Sequence, residues 1–186
     1  MKKIEIDTFL KFRFLSNPHF SPDGTKIAFT VSVPDRETNG YLSDLYLYDL
    51  GKKTVSRATC AGDAKIWSWT AENTLIFTAA RTAALKKEKE NGTSFFYEIS
   101  PSGGEASCRA SVPASVTGIR LLPDGRYLLT IRHDNYKDTR KKSYEVFDEL
   151  PFWANGQGIV NKKRTRLAVY DLESGSCEIV DGRASC

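Results

Sequence analysis

Three times along the chain an apolar residue runs into a four-residue turn and out again into an alternating strand. The first copy is His19-Phe20-Ser21-Pro22-Asp23-Gly24-Thr25-Lys26-Ile27-Ala28-Phe29-Thr30. The third is Arg120-Leu121-Leu122-Pro123-Asp124-Gly125-Arg126-Tyr127-Leu128-Leu129-Thr130. Between them lies Trp67-Ser68-Trp69-Thr70-Ala71-Glu72-Asn73-Thr74-Leu75-Ile76-Phe77-Thr78, with Ala-Glu-Asn where the others have Pro-Asp-Gly. Proline presets φ at the second position of a tight turn, Asp suits the third, and Gly accepts the left-handed fourth. Each copy therefore reads as a hairpin joining two strands.

A second signature follows each turn. It is Leu45-Tyr46-Leu47-Tyr48-Asp49-Leu50, then Phe95-Phe96-Tyr97-Glu98-Ile99, then Leu167-Ala168-Val169-Tyr170-Asp171-Leu172. A Gly-bearing turn and a short strand come after it: Gly51 to Val55, Gly103-Gly104-Glu105, and Ser174 to Val180. Phe29 and Phe77 are 48 residues apart, Phe77 and Leu129 are 52 apart, and Tyr48 and Tyr97 are 49 apart. Tyr97 and Tyr170 are 73 apart, which places an insertion of roughly 24 residues in the third unit. A period near 50 with about four short strands per unit is the pattern of β-propeller blades.

The expected fold is all-β: a partial β-propeller of about three four-stranded antiparallel blades. Blade one runs over about 15–60, blade two over about 62–110, and blade three over about 113–182 with an insertion at about 134–166. In the strand after the first turn, Ile27, Phe29, Val31 and Val33 alternate with Ala28, Thr30 and Ser32. Both faces are apolar or small, as in a strand sandwiched between neighbouring blades. Propellers close with four to eight blades. Three blades leave open edges and uncovered faces, so the chain reads as an incomplete propeller with self-association through those edges as one outcome.

Composition narrows the function classes. Of 186 residues, 27 are Lys or Arg and 23 are Asp or Glu, a net charge of +4. The basic clusters, Lys86-Lys87-Glu88-Lys89-Glu90 and Lys137-Asp138-Thr139-Arg140-Lys141-Lys142, are broken by acids. That is the pattern of solvated loops and not of a nucleic-acid-binding face. The N-terminus carries acids where a signal peptide needs an apolar run, and no stretch approaches the length of a membrane span. A cytoplasmic protein is expected. Cys60, Cys108, Cys177 and Cys186 lie far apart without metal or redox spacing, so four reduced thiols are expected, with no cofactor and no metal.

Three segments fall outside the repeat. Residues 4–15 read as a short helix capped by Asp7 or Thr8, or as a strand. Residues 81–92 read as a charged, helix-prone excursion between strands of blade two. The third is the insertion, whose second half runs Tyr144-Glu145-Val146-Phe147-Asp148-Glu149-Leu150-Pro151-Phe152-Trp153-Ala154-Asn155-Gly156-Gln157-Gly158-Ile159. A loop this long in a compact domain is usually functional or disordered, and this one is too aromatic for disorder.

The Ser-Pro-Asp-Gly-x-Lys-Ile-Ala-Phe opening, the Ala79-Ala80-Arg81 that follows Phe77-Thr78, and above all Asp148-Glu149-Leu150-Pro151-Phe152-Trp153-x-Asn155-Gly156-x-Gly158 carry a family likeness. The chain resembles the N-terminal propeller of prolyl oligopeptidase-family serine peptidases, in the acylaminoacyl-peptidase or dipeptidyl-peptidase-like branch. The resemblance implies a seven- or eight-bladed propeller followed by an α/β-hydrolase domain that holds a Ser-Asp-His triad. It also implies that the propeller gates access of short peptides to that domain.

This chain has no Gly-x-Ser-x-Gly elbow. Its two histidines, His19 and His133, sit at a strand entry and a strand end, and no nucleophile or orienting acid is placed beside either, as a triad requires. Both are read as structural, and the chain alone as non-catalytic. Substrate contact falls to the insertion. By the resemblance, Asp148 and Glu149 hold the free ammonium of a peptide, as carboxylates in an apolar setting do through charge-assisted hydrogen bonds, while Phe152 and Trp153 line a subsite. The competing reading pairs Glu149 with Arg164 or Arg166 to fix the insertion. Arg132, at a strand end, is a further candidate for meeting a carboxylate. The partners so implied are a peptide and the chain's own C-terminal hydrolase domain. The alternatives are a TolB-like propeller scaffold for protein interaction without an enzyme, and a fragment that does not fold alone.

Overall fold

The computed structural model describes residues 5–134, 152–154, 158–160 and 163–180. Among these residues, a 3-10 helix at Ile6–Lys11 is followed by fourteen strands and one α-helix. The first antiparallel sheet holds β1 (Phe14–Phe20), β2 (Lys26–Asp35), β3 (Gly40–Asp49) and β4 (Thr54–Arg57) in chain order. The second holds β5 (Trp67–Trp69), β6 (Leu75–Thr78), β7 (Ser94–Ile99) and β8 (Ser107–Val112), with α1 (Ala83–Glu90) between β6 and β7. The third orders β9 (Ser115–Leu121), β10 (Tyr127–Asp134), β13 (Lys163–Tyr170) and β14 (Cys177–Ile179). A separate hairpin of β11 (Phe152–Ala154) and β12 (Gly158–Val160) interrupts it. The architecture is that of a partial propeller.

Strand periodicity builds the stack. Successive side chains point to opposite faces, so one strand can feed two cores. β6 does this along its whole length. Leu75 and Phe77 join Ala28, Leu45 and Leu47 of the first sheet, together with Trp67, Trp69, Phe95 and Tyr97. Ile76 joins Phe96, Val112 and the third sheet's Tyr127, Leu129, Ile131, Ala168 and Tyr170. β6 is thus sandwiched between two cores, whereas the strand read as sandwiched from its sequence, β2, has a neighbouring sheet on one face alone among the described residues. In the first sheet Ala28 and Thr30 face the second sheet, while on the other face Val31 is buried but Val33 is 36% exposed. Ile27, Phe29, Tyr48 and Val55 border a shallow apolar depression of about 360 Å³ on the open side.

Two tryptophans join the first two sheets. Trp67 Nε1 donates to Thr30 Oγ1 at 2.9 Å, and Trp69 Nε1 donates to the His19 carbonyl at 3.1 Å. Both indoles are almost fully buried, and a buried indole N–H needs such a partner. Each ring therefore supplies apolar area and a directional tie.

The turns follow the repeat closely. Gly24 N donates to Ser21 O, Asn73 N to Thr70 O and Gly125 N to Leu122 O, so Ser21, Thr70 and Leu122 are equivalent. The fourth position is left-handed in all three, with φ of 68° at Gly24, 61° at Asn73 and 86° at Gly125. Asn is the non-glycine residue that tolerates this region best, which is why Ala-Glu-Asn substitutes for Pro-Asp-Gly. The Asn73 amide oxygen also accepts from Asp23 N at 3.0 Å, joining the first turn to the second. The aspartates act as local acceptors. Asp23 accepts from Thr25 N, Asp124 from Arg126 N, Asp49 from Lys52 N and Asp171 from Glu173 N. Local hydrogen bonds lead the causes that hold each carboxyl below its ordinary value: the Ser21 hydroxyl and then Thr25 N at Asp23, the Arg126 guanidinium and then its backbone N–H at Asp124, Lys52 N at Asp49, and Glu173 N at Asp171.

Several expectations are revised. Register places Tyr46 opposite Phe29 and Tyr97 opposite Phe77, while Tyr48 and Tyr170 stand opposite Ile27 and Tyr127. Tyr97 is therefore the counterpart of Tyr46 and not of Tyr48; the two-residue shift keeps it on the same face. The N-terminal helix is a single 3-10 segment, and neither Asp7 nor Thr8 caps it; Thr8 Oγ1 instead accepts from Glu5 N. The 81–92 excursion does contain a helix, N-capped by Thr82, with no buried residue. Cys60 and Cys108 are free and exposed, but Cys177 is disulfide-bonded, against the expectation of four thiols.

Two outcomes follow for stability. Asn73→Ala puts a Cβ-bearing residue of poor left-handed tolerance at φ 61° and removes the bond to Asp23. It should cost about 1–2 kcal/mol in chemical denaturation, with Asn73→Gly recovering most of that. Burial raises the Tyr127 phenol to about 12. The protonated form is favoured in the folded chain, so stability present below pH 10 should fall as pH climbs toward 12. Tyr127→Phe should flatten that fall in pH-dependent urea midpoints.

Candidate functional site

Strand direction decides where the excursions emerge. The Asp23–Asn73 contact sets the turns that follow β1 and β5 at one end of the stack. The connections from β2 to β3 and from β6 to β7 therefore leave at the other end. At that end Ser94, the first residue of β7, links the third sheet: its hydroxyl donates to Ala114 O and accepts from Val116 N, both at 2.9 Å. The β10-to-β13 connection emerges there too. The three excursions are the short turn 35–40, the α1 segment 78–94, and the long segment 134–163. One end of the stack thus collects the two longest excursions, and this is the candidate functional face.

The long segment rises from a continuous stalk. β10 and β13 pair without a break from Tyr127↔Tyr170 to Asp134↔Lys163. Arg132 lies opposite Thr165, His133 opposite Arg164, and Ile131 opposite Arg166. Beyond the stalk, Phe152 pairs with Val160, Trp153 with Ile159 and Ala154 with Gly158. Two of the expected site residues, Phe152 and Trp153, therefore sit next to each other on one strand of a hairpin. Asp148 and Glu149 lie outside the described residues. Arg164 and Arg166, the expected alternative partners of Glu149, stand at the foot of the segment on β13.

The neighbouring excursion brings a cation to the same end. Arg81 follows β6 and lays its guanidinium 4.9 Å from the Tyr97 ring centroid and 5.8 Å from that of Phe77. The two rings stack on each other at 6.2 Å. A planar, weakly hydrated guanidinium suits an aromatic face, so Arg81 closes the end of the core between the first two sheets. The sequence pattern showed Ala79-Ala80-Arg81 but not the rings beneath it, because Tyr97 arrives from a different strand.

A second polar cluster fixes the connector between the first two sheets. The Asp44 carboxylate accepts from Arg57 Nη2 at 2.6 Å, Thr59 Oγ1 at 3.0 Å and Gly62 N at 3.1 Å. Thr59 Oγ1 in turn accepts from Leu45 N at 2.9 Å. Asp44 is 7% exposed, so its charge is compensated almost entirely by these donors. No sequence motif announced this cluster, since its members span residues 44–62 without a recurring spacing.

The histidines divide as follows. His19 is half-buried on β1; its Nε2 lies 3.1 Å from Asn17 Oδ1, and its ring meets that of Trp67 edge-on with centroids 5.6 Å apart. Burial first, and the Arg120 charge second, hold its imidazole below the ordinary value. No hydroxyl or thiol nucleophile is hydrogen-bonded to it among the described residues. His133 belongs to the β10 stalk. Among the described residues no group of three or more His, Cys, Asp or Glu is placed to hold a metal, and no helix is long and apolar enough to cross a membrane.

Comparison with known proteins agrees with this architecture. The chain is 25% identical over 187 aligned residues to the uncharacterized peptidase YuxL of Bacillus subtilis, covering 94% of this chain and 27% of that protein. Among solved structures it is similar to the acylaminoacyl peptidase of Pyrococcus horikoshii, with a TM-score of 0.66 at 18% identity over 94% of this chain and 25% of that one. It is also similar to the β-propeller domain of the Trilobed protease from Pyrococcus furiosus, with a TM-score of 0.50 at 16% identity over 93% of this chain and 43% of that one. No protein-family model matches. The chain spans about a quarter of the length of the peptidases it resembles.

The Asp44 cluster yields a graded outcome. Asp44→Ala leaves a hydroxyl, an amide and a guanidinium without their acceptor and should cost about 2–3 kcal/mol. Arg57→Ala, which removes a half-exposed partner, should cost about 1 kcal/mol or less. Urea midpoints of the two variants test the order.

Proposed function

We propose that this chain is the propeller portion of a prolyl oligopeptidase-family serine peptidase. In this reading the three sheets are its first three blades, and a hydrolase domain elsewhere in the protein supplies the chemistry. The likeness carrying the proposal covers 94% of the chain and relates it to a peptidase by sequence and to peptidase propellers by fold. The propeller gates access of short peptides, and the excursions at one end of the stack face the bound peptide.

Within that reading, the 134–163 segment supplies substrate contacts. Asp148 and Glu149 hold the free α-ammonium of a peptide by charge-assisted hydrogen bonds. Phe152 and Trp153, adjacent on one hairpin strand, line the neighbouring subsite.

In the peptidase containing this propeller, Glu149→Ala should raise KM for peptides with a free N-terminus at least about tenfold. That is the loss of roughly one charged hydrogen bond. KM for N-acetylated peptides should barely change. Equal changes for both substrate classes would remove the carboxylates from ammonium recognition and leave Glu149 as a pin for the segment.

A further inference from the structure

The junction between the first two sheets shows what one face of a sheet requires of the next. Ser21 N donates to Lys26 O, Thr70 N to Thr74 O and Leu122 N to Arg126 O, so Lys26, Thr74 and Arg126 close equivalent turns, the first being one residue longer. Ile27, Leu75 and Tyr127 are therefore equivalent, and they stand opposite Phe20, Trp69 and Leu121 on their own inner strands. Side chains alternate between faces from there. The aliphatic side of the junction is Ala28, Leu45 and Leu47 of the first sheet, with Thr30 accepting from Trp67. The aromatic side is Leu75, Phe77, Tyr97 and Ile99 of the second sheet.

Both kinds of face recur without a cover among the described residues. On the third sheet Leu128 pairs with Val169 as Ala28 does with Leu47, and Thr130 pairs with Leu167 as Thr30 does with Leu45. That face repeats the aliphatic side, and its Leu167 is 47% exposed. Arg120 borders it beside Leu128, where His19 stands beside Ala28. On the first sheet Ile27, Phe29, Tyr46 and Tyr48 hold the positions of Leu75, Phe77, Tyr97 and Ile99. The aromatic pair keeps its geometry there: Phe29 and Tyr46 stack at 6.0 Å with 30° between the planes, against 6.2 Å and 30° for Phe77 and Tyr97. Phe29 borders the depression of about 360 Å³ together with Val55, which is 59% exposed.

We propose that two copies of this chain associate head to tail, the third-sheet face of each docking on the first-sheet face of the other. The new junction continues the one between the first two sheets: Leu128, Leu167 and Val169 pack against the Phe29–Tyr46 pair and fill the depression beside it. Counting sets the occupant. Each chain bears one uncovered face of each kind, so a second copy satisfies both. Contacts between unlike faces give a ring when the rotation closes and an open series when it does not. Propellers close with four to eight sheets. Two copies supply six of the four-stranded sheets and three copies would supply nine, so closure falls at the dimer. The proposal concerns the 186-residue chain by itself. It does not rest on the peptidase reading, in which further blades compete for the same two faces.

Light scattering on the purified 186-residue chain reads the assembly directly. The wild-type mass should be twice the 20.8 kDa of one chain. Val55→Glu on the first-sheet face and Leu167→Glu on the third-sheet face each bury a charge in both junctions. Either variant alone should fall to the single-chain mass with an unchanged circular dichroism spectrum. An equimolar mixture of the two keeps one junction free of both charges, so the doubled mass should return. Lys86→Glu on α1, a helix with no buried residue, should leave the dimer intact. If a glutamate variant loses its circular dichroism spectrum, Val55→Thr or Leu167→Thr keeps a strand-favouring residue and should raise the dimer Kd at least about tenfold. The proposal is overturned by a single-chain mass for the wild type, by a series of larger masses, by a dimer that survives either glutamate variant, by a mixture that stays monomeric, or by loss of the dimer in Lys86→Glu. A peptidase that fails the Glu149 test leaves these outcomes unaffected.

Discussion

A four-stranded sheet with two apolar faces has no stable existence by itself, and the architecture answers that constraint by stacking. The second sheet shows the completed form. Leu75 and Phe77 look into one core, Ile76 and Phe96 into another, and every residue of β6 is buried. Burying a large aliphatic or aromatic side chain contributes about 1.5–3 kcal/mol, and a strand that does so on both faces doubles the return per backbone hydrogen bond. The outer sheets are built to the same pattern with one face uncovered. Phe20, Leu15 and Val55 on the first sheet and Leu167 and Val180 on the third are largely exposed. Those faces have the chemistry of an interior.

Polar groups set the register that apolar contacts leave loose. Hydrophobic packing is non-directional, so the alignment of one sheet on the next depends on a few hydrogen bonds of defined geometry. Trp67 and Trp69 anchor the first junction near the inner edge. Asp44 and its donors anchor it at the connector. Ser94 does the same at the second junction, bridging Ala114 and Val116 with one hydroxyl. Each device sits where a side chain from one sheet meets a polar group of the next sheet or of the connector that leads to it.

Much of this was legible in the sequence because local chemistry and the fold agree. Pro-Asp-Gly twice, and Ala-Glu-Asn with its left-handed Asn73, mark equivalent turns, and the period near 50 gives the sheets and their order. Phe152 and Trp153 were singled out as the aromatic neighbours of Asp148 and Glu149 in the motif that carries the resemblance, and they fall on one hairpin strand. What was hidden depends on contacts between distant strands. Nothing local relates Arg81 to Tyr97 or Asp44 to Gly62. The mistaken match of Tyr97 with Tyr48 has a similar origin. Two tyrosines, Tyr46 and Tyr48, share one face of β3, and sequence similarity cannot choose between positions that differ by a full strand period.

The bond from Asp23 N to the Asn73 side chain bears on how far the repeats are modular. If the units were interchangeable, the best turn for one would be the best for all, and the glycine of the other two copies would be the natural replacement. But glycine has no side chain to reach the preceding turn. The divergence of the second unit is therefore an address: it marks which neighbour that unit sits beside. A consensus built by averaging the three repeats would gain a better turn and lose that label.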